Sequence, residues 1–324
     1  MISQADKDRQ WLYGRCQGWR DGDSSGADTD AVWIYGEPTE VTVASPYSTL
    51  VRDGTTSGNV VTEIGGSAFA TACTLAHSGI LTKLYCPVNP DNTLIAKTAE
   101  KFSVNLYPLE AVAPRKTVVL AEGTHRSMIS GSSEVFASRV AETIPSPNGK
   151  LFHLSYSSIY RAENSTVYNL ALRASSPISV DAGAAAYVES ADFHMFCKQV
   201  RPKFLFANID EAEKLGYSHC PDYIEYYIIK RGELSPLVLF NDVNGCPQEI
   251  SIPNFSSFTH TVIDTTGAGD AFAGGYIAAY LQGYSPVECL RYGHYVASTC
   301  ISRLGPLISS NPLQSTVAII DGSN

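Results

Sequence analysis

Basic charge is in short supply in this chain. Against 32 Asp and Glu there are 23 Lys and Arg, which leaves a formal charge of −9 and a pI near 5.3. No basic stripe is present, so neither a nucleic acid nor an anionic membrane surface is expected as a partner. Long apolar runs are missing too: none approaches the roughly 18 residues that cross a bilayer, and no membrane span is expected. Met1 to Arg20 is polar and charged, which predicts no signal peptide. Paired cysteines are absent. Cys16, Cys73, Cys86, Cys197, Cys220, Cys246, Cys289 and Cys300 stand singly, with no CxxC pair and no zinc spacing. Neither a zinc ribbon nor a disulfide framework is therefore expected. Reduced thiols in a cytoplasmic protein, serving as small hydrophobes, are the expectation. The chain also lacks the GxxxxGK[ST] loop, so it is not a Walker-type NTPase.

What remains is a globular composition. With 324 residues, 44% hydrophobic and 17% charged, the chain can bury one large core and carry a small accessory element. Its most informative stretch is Ile263-Asp264-Thr265-Thr266-Gly267-Ala268-Gly269-Asp270-Ala271-Phe272-Ala273-Gly274-Gly275. The β-branched run His260 to Ile263 predicts a strand, which gives way to a glycine turn and then an apolar helix. Phe272, Tyr276 and Tyr280 recur every four residues on one face of that helix, and Gly283 stops it. A helix start of this kind exposes main-chain N–H groups at the positive end of a dipole, which makes an anion site. A carboxylate beside such a site repels a bound phosphate. Asp270 is explained if it takes the proton from a hydroxyl attacking that phosphate; otherwise it is a first-turn acid favoured by the dipole.

Upstream, residues 1–30 read as a polar extension. Ala31 to Tyr35 is the first buried strand, Val41 to Ser45 a second, followed by a turn-rich region to Asn59. Gly65-Gly66 then opens an Ala-rich helix. Paired glycines there let a ligand approach the backbone, or let helix and sheet pack tightly. Leu81 to Val88 is a strand, Asn92 to Lys101 a helix, and Lys116 to Ala121 with His125 to Ile129 a hairpin. From Leu151 onward short apolar strands alternate with helices: strands at 151–155, 178–181, 204–207 and 237–240, helices at 162–174, 188–200 and 210–215. Such alternation predicts a doubly wound, mostly parallel α/β sheet with helices on both faces and ligands at the strands' carboxyl ends.

The run DTTGAGDAFAGG resembles the C-terminal signature of the ribokinase-like (PfkB-type) carbohydrate kinases, and other motifs extend the resemblance over nearly all the chain from Ala31. It implies a kinase domain over 31–320, with a β-lid formed from segments near 37–60 and 114–131. It implies ATP as phosphate donor with Mg²⁺, and Asp270 as base. The amides of Gly267, Ala268 and Gly269 would form the anion hole. Gly65 and Gly66 match the family's sugar-binding Gly-Gly, and Arg126 sits where the family often carries Arg; a solvated strand charge is the alternative. Asn208-x-x-Glu211 matches a metal-and-phosphate motif, although an acid at a helix start is also an ordinary cap. Gly245, Thr265 and His294 fall at nucleotide positions, with a packed helix histidine as the other account of His294. Asp264 and Thr266 resemble a monovalent-cation site, implying K⁺. Pairing of two chains through the lid is a further implication. The chain departs from the family pattern at three ligand contacts: Val41 stands for Asp, Ala70 for Asn, and Asp242 near Gly245 would repel polyphosphate if it faced inward. Glu40 adjoins Val41 but faces the other way on a strand. The function expected is phosphoryl transfer to a hydroxyl of a small sugar-like molecule. A nucleoside acceptor, or a ligand-binding protein without turnover, are the alternatives.

Overall fold

The computed structural model describes residues 29–88, 92–109, 114–122, 125–131, 144–156, 166–183, 190–216, 218–253, 255–256 and 261–309. Nearly all of the N-terminal extension lies outside them, as does His260. The large sheet begins with β1 (Val32–Tyr35), which is buried along its whole length. Its even and odd side chains serve different cores: Val32 and Ile34 face one, Trp33 and Tyr35 the other. A strand buried on both faces has no polar alternation to show, which is why it reads as a plain apolar run.

Two strands of a smaller sheet follow, β2 (Thr39–Pro46) and β3 (Gly58–Gly65), then α1 (Ser67–His77), β4 (Thr82–Pro87), α2 (Thr93–Lys101) and β5 (Asn105–Leu109). The second insertion supplies β6 (Arg115–Glu122) and β7 (His125–Ser130). After these come β8 (Leu151–Ser155), α3 (Thr166–Leu172), β9 (Ile178–Asp181), α4 (Ser190–Val200), β10 (Phe204–Asn208) and α5 (Ile209–Leu215). The chain closes through β11 (Tyr226–Lys230), β12 (Leu237–Asn241), β13 (Pro247–Ser251), α6 (Ala268–Leu281) and α7 (Pro286–Ile301).

The order in the nine-stranded sheet is β13-β12-β11-β10-β9-β8-β1-β4-β5. It is parallel except at β11–β12 and β12–β13. Strand order reverses between β1 and β8, so the carboxyl ends there open into a crevice. Helices α1, α6 and α7 cover one face, where Phe69, Phe272, Tyr276 and Val296 join one cluster. Helices α3, α4 and α5 cover the other with Leu170, Phe193, Phe196 and Leu215. Close helix packing on the first face uses glycine: a Cβ on Gly274 would meet Thr74 at 2.7 Å, and one on Gly293 the Phe272 carbonyl at 2.9 Å. Among the described residues, the four-stranded sheet, β3-β2-β6-β7, has a core of Val41, Val43, Val119 and Ala121, with Val61 and Leu304 packed against it.

Three expectations change. The strand expected over His260 to Ile263 does not form among its described residues; Ile263 N–H instead donates to the Ile301 carbonyl at the end of α7. Strand propensity is realised only where a partner edge exists, and the segment approaches its turn along a helix end. The stretch to Asn59 continues into a full strand, β3, pairing along β2. Strands β5, β11 and β13 lie outside the sequence-based expectation, and β11 carries Lys230 into the cleft.

Candidate active site

The signature turn lies at the carboxyl side of the large sheet. Gly267 holds a left-handed conformation (φ 79°), and a Cβ there would fall on the Pro306 carbonyl oxygen, so only glycine fits. Below the turn, Asp264 is fully buried. Its Oδ1 accepts from Thr266 N–H (2.9 Å) and Thr266 Oγ1 (2.6 Å), and its Oδ2 from Gly305 N–H (3.0 Å). This clasp fixes the turn against the loop after α7. The first amides of α6 then open towards the cleft, although Ala268 N–H also reaches Thr265 O at 3.3 Å.

Asp270 follows in the first turn of α6. Its Oδ1 accepts from Ser67 Oγ at 2.6 Å, so the start of α1 meets the start of α6. Burial pushes the Asp270 pKa up to about 6, helped by the Asp181 carboxylate and opposed by the Ser67 hydrogen bond, Lys230 and Arg126. A carboxylate that ionises near 6 is a competent base at neutral pH.

Lys230 and Asp181 were not singled out by sequence. Lys230 ends β11 opposite Asn208 of β10, and its Nζ donates to Asp181 Oδ2 at 2.7 Å. Both side chains are almost buried, at 12% and 7% exposure. Burial pulls the Lys230 pKa down, but the Asp181, Glu211 and Asp270 carboxylates outweigh it and hold the ammonium above its ordinary value. The local signal was a run of β-formers, Tyr226 to Ile229, ending in Lys-Arg-Gly. Gly232, just beyond, lines the cleft. Gly245 does not: it sits with φ 77° in the exposed β12–β13 turn. Asp242 is turned onto that same hairpin, accepting from the N–H groups of Asn244 and Cys246 at 2.9 Å each. The nucleotide position expected at Gly245 is therefore corrected, and Asp242 poses no threat to a phosphate.

One continuous cleft of about 1140 Å³ joins these groups. Its lining draws Thr39, Arg115, Thr117 and Ser130 from the small sheet, with Glu37 just before it, and His294, Ala297 and Ile301 from α7, with Leu234 and Val262. Gly66 (φ 97°) and Ser67 line it, whereas a Cβ on Gly65 would meet the Pro306 ring at 2.7 Å, so Gly65 serves packing. Val41 lines the cleft; Ala70 and Glu40 do not. Ala70 is buried in the core against the sheet, and Glu40 reaches Lys116 at 3.6 Å. Glu37 and Arg115, which sequence reasoning did not weigh, pair at 2.7 Å in the wall where Val41 offers no charge. Arg126 reaches across from β7 and donates to the Thr265 carbonyl at 2.8 Å. His294 packs edge-on to Phe255 at 4.8 Å between centroids, and burial pushes its pKa down to about 4, so it is neutral at physiological pH.

Asn208 and Glu211 form a reciprocal capping box: Glu211 Oε2 accepts from Asn208 N–H (2.8 Å) and Asn208 Oδ1 from Glu211 N–H (2.9 Å). Burial raises the Glu211 pKa. Both residues line the cleft. Among the described residues no cluster of three or more Asp, Glu, His or Cys could hold a metal by itself. Mg²⁺ does not need one, since it usually keeps several waters and takes one or two carboxylates with substrate phosphates. Glu211, with one oxygen on the cap, fits that requirement.

The pfkB family of carbohydrate kinases matches this chain over residues 43–313. The 2-dehydro-3-deoxygluconokinase of Escherichia coli K12 is 35% identical over 85 residues, 26% of each chain. The matched segments of this and similar curated relatives span only 13% to 32% of those proteins' own length. Among solved structures, a Methanocaldococcus jannaschii nucleoside kinase of the ribokinase family superposes with a TM-score of 0.72 at 19% identity, over 92% of this chain and 100% of its own. Thermotoga maritima ribokinase gives 0.66 at 16% identity, over 90% and 98%. These likenesses establish a ribokinase-like fold.

Proposed function

Because the chain belongs to the pfkB family of carbohydrate kinases, we propose that it moves the γ-phosphate of ATP onto a hydroxyl of a small sugar-like molecule. The observation that carries this reading is Asp270: a half-buried carboxylate with its pKa near 6, placed where helices α1 and α6 begin. An acceptor hydroxyl lying over Gly66 and Ser67 gives its proton to Asp270 as its oxygen attacks phosphorus. The amides at Gly267, Ala268 and Gly269 hold the phosphoryl oxygens as charge spreads over them. Asn208 and Glu211 would hold a hydrated Mg²⁺, whose charge would offset that of the phosphates. Thr265 and Gly232 lie along the nucleotide's path, and His294, neutral and apolar-walled, faces the base. A monovalent cation such as K⁺ at Asp264 and Thr266 would share carboxylate oxygens already used by the clasp, and a KCl titration tests it.

The acceptor is a sugar or sugar acid rather than a nucleoside in this reading, because the acceptor end is walled by Glu37, Arg115 and Arg126. The name of the E. coli relative points to a deoxy sugar acid, which would tolerate the missing carboxylate at Val41. The nucleoside reading rests on the M. jannaschii neighbour. ADP release with Mg-ATP, measured over sugars, sugar acids and nucleosides, decides between them. Turnover with none of these classes would leave a ligand-binding protein. Within the same assay, Glu211→Gln should raise the Mg²⁺ needed for half-maximal rate and leave the acceptor KM unchanged. We also propose a homodimer through the lid, supported by Val60, Val118 and Ile129 exposed on one face of the small sheet. Sedimentation of wild type against Val118→Lys tests it.

A further inference from the structure

We propose that Lys230 is a further catalytic residue, its ammonium gripping the transferred phosphoryl group beside the Gly269 amide, and that Asp181 is the residue that positions it. The inference rests on the kinase reading above. It starts from the sheet. Register places Lys230 opposite Asn208, and Asp181 lies one strand beyond, opposite Phe206. To reach Asp181 the lysine side chain must cross the carboxyl end of β10, the middle of the sheet's open mouth. There it meets the start of α6: a Cβ on Gly269 would lie 3.2 Å from Lys230 Nζ. The ammonium therefore stands within contact distance of the helix start that receives the phosphate.

The pair opens on the cleft, since Lys230 and Asp181 both line it. A lysine ammonium has three donors, and Asp181 takes one of them. Charge balance gives the rest of the argument. Asp181, Glu211 and Asp270 all act on the Lys230 ammonium, so three carboxylates crowd the floor of a site meant for a polyanion. Beside the Mg²⁺ that Glu211 would hold, a fixed cation among them offsets charge that would otherwise repel phosphate. An ammonium is a compact point charge, suited to a group whose oxygens shift as bonds exchange.

In the step itself the acceptor oxygen bonds to phosphorus and the bond from phosphorus to the bridging oxygen breaks. The electron pair leaves on the β-phosphate of ADP, and the acceptor proton goes to Asp270. Lys230 keeps its proton throughout and supplies charge only. Asp181 never touches the substrate; it fixes the lysine rotamer.

Lys230→Met leaves Asp181 buried without a partner and threatens the fold, so the double variant Lys230→Met with Asp181→Asn is measured beside it. Two readouts apply: kcat from ADP release, and calorimetric affinity for ADP against a non-hydrolysable ATP analogue, adenylyl imidodiphosphate. Wild type should prefer the triphosphate analogue, and both variants should lose that preference. The double variant should melt close to wild type yet have kcat lower by about 10²–10³-fold, the loss seen when a transition-state charge partner is removed. A purely structural pair predicts the reverse: stability and turnover return together. Wild-type kcat in the double variant, or an unchanged triphosphate preference, overturns the proposal. If wild type phosphorylates no acceptor the kinase reading fails first, and the nucleotide affinities still decide the place of Lys230.

Discussion

The cleft is entered by two glycine turns that look alike and are held differently. Each puts a glycine with positive φ before a helix, Gly66 before α1 and Gly267 before α6, and the two helix starts meet at the Ser67–Asp270 hydrogen bond. The Gly267 turn is fastened to the core: Asp264 is fully buried beneath it and ties it to Gly305. The Gly66 turn leans on the lid connection, where its Cβ position faces the Glu37 carbonyl at 2.5 Å and Thr39 just beyond. The small sheet behind that contact has four buried apolar side chains as its core, against the two large clusters of the main sheet. Local opening costs least where few apolar contacts must be broken. The Gly267 turn is thus the more firmly held of the two; in the kinase proposed above, that places the phosphoryl end on the tighter scaffold and the acceptor end on the more adjustable one.

Asp270 sits where the two turns meet, and changing it should have the largest effect. Asp270→Asn should lower kcat about 10²–10⁴-fold, the usual contribution of a positioned base, in the ADP-release assay. Wild-type kcat/KM should fall as pH drops below about 6, when the base becomes protonated. Stability should respond in the opposite sense. The folded pKa is raised from 3.8 to about 6, so the contribution of this group to stability is complete below 3.8 and is lost as pH rises through 6. Asp270→Asn should therefore melt above wild type at pH 8, with the gain shrinking between pH 6 and 4. A variant less stable than wild type at pH 8 would contradict the electrostatic account.

Paired glycine substitutions sharpen the contrast between the turns. Gly267→Ala and Gly66→Ala both force a side chain into a backbone region that costs about 1–3 kcal/mol. Gly267→Ala adds a collision with the Pro306 carbonyl that the buried clasp cannot relieve, and should lower both the melting temperature and kcat. Gly66→Ala presses on the more adjustable lid connection, and should raise acceptor KM more than it lowers the melting temperature. Equal losses of stability in the two variants would erase the distinction.

The two turns were also unequal in what the sequence disclosed. Around Gly267 the string of small residues is continuous, and helix, turn and acid follow from local rules alone. The helix glycines Gly274 and Gly275 belong to the same string for a different reason, close packing of α6 on α1 and α7. Around Gly66 the important groups come from far along the chain: Glu37 with Arg115, and Ser67 with Asp270. Lys230 and Asp181 were missed on the same ground, since their contact needs three neighbouring strands and no local spacing announces it. Sequence points to Gly245 after β12, whereas the glycine that lines the cleft, Gly232, follows the Tyr226–Lys230 strand one earlier. Val41 and Ala70 looked equivalent as departures, but only knowledge of which way α1 faces separates them: Val41 lines the cleft, and Ala70 is core.

Arg126 joins the two regions from above, and its replacement should have the smallest effect on the folded protein. It projects from β7, an exposed strand, and donates to the Thr265 carbonyl just before the Gly267 turn. A single exposed hydrogen bond of this kind contributes about 0.5–1.5 kcal/mol at most, and water can replace it. Arg126→Ala should therefore leave the melting temperature within error of wild type. The contact nevertheless links the small sheet to the Gly267 turn, the proposed phosphate site, and the guanidinium favours the ionised form of Asp270. Acceptor KM should rise several-fold, and the acid limb of the kcat/KM profile should move to slightly higher pH. Arg126→Lys should restore the position of that limb, since it returns the charge, but only part of KM, since an ammonium lacks the reach and planar fork of the guanidinium. A rise in KM with no movement of the acid limb would confine Arg126 to the lid and remove it from the electrostatics of Asp270.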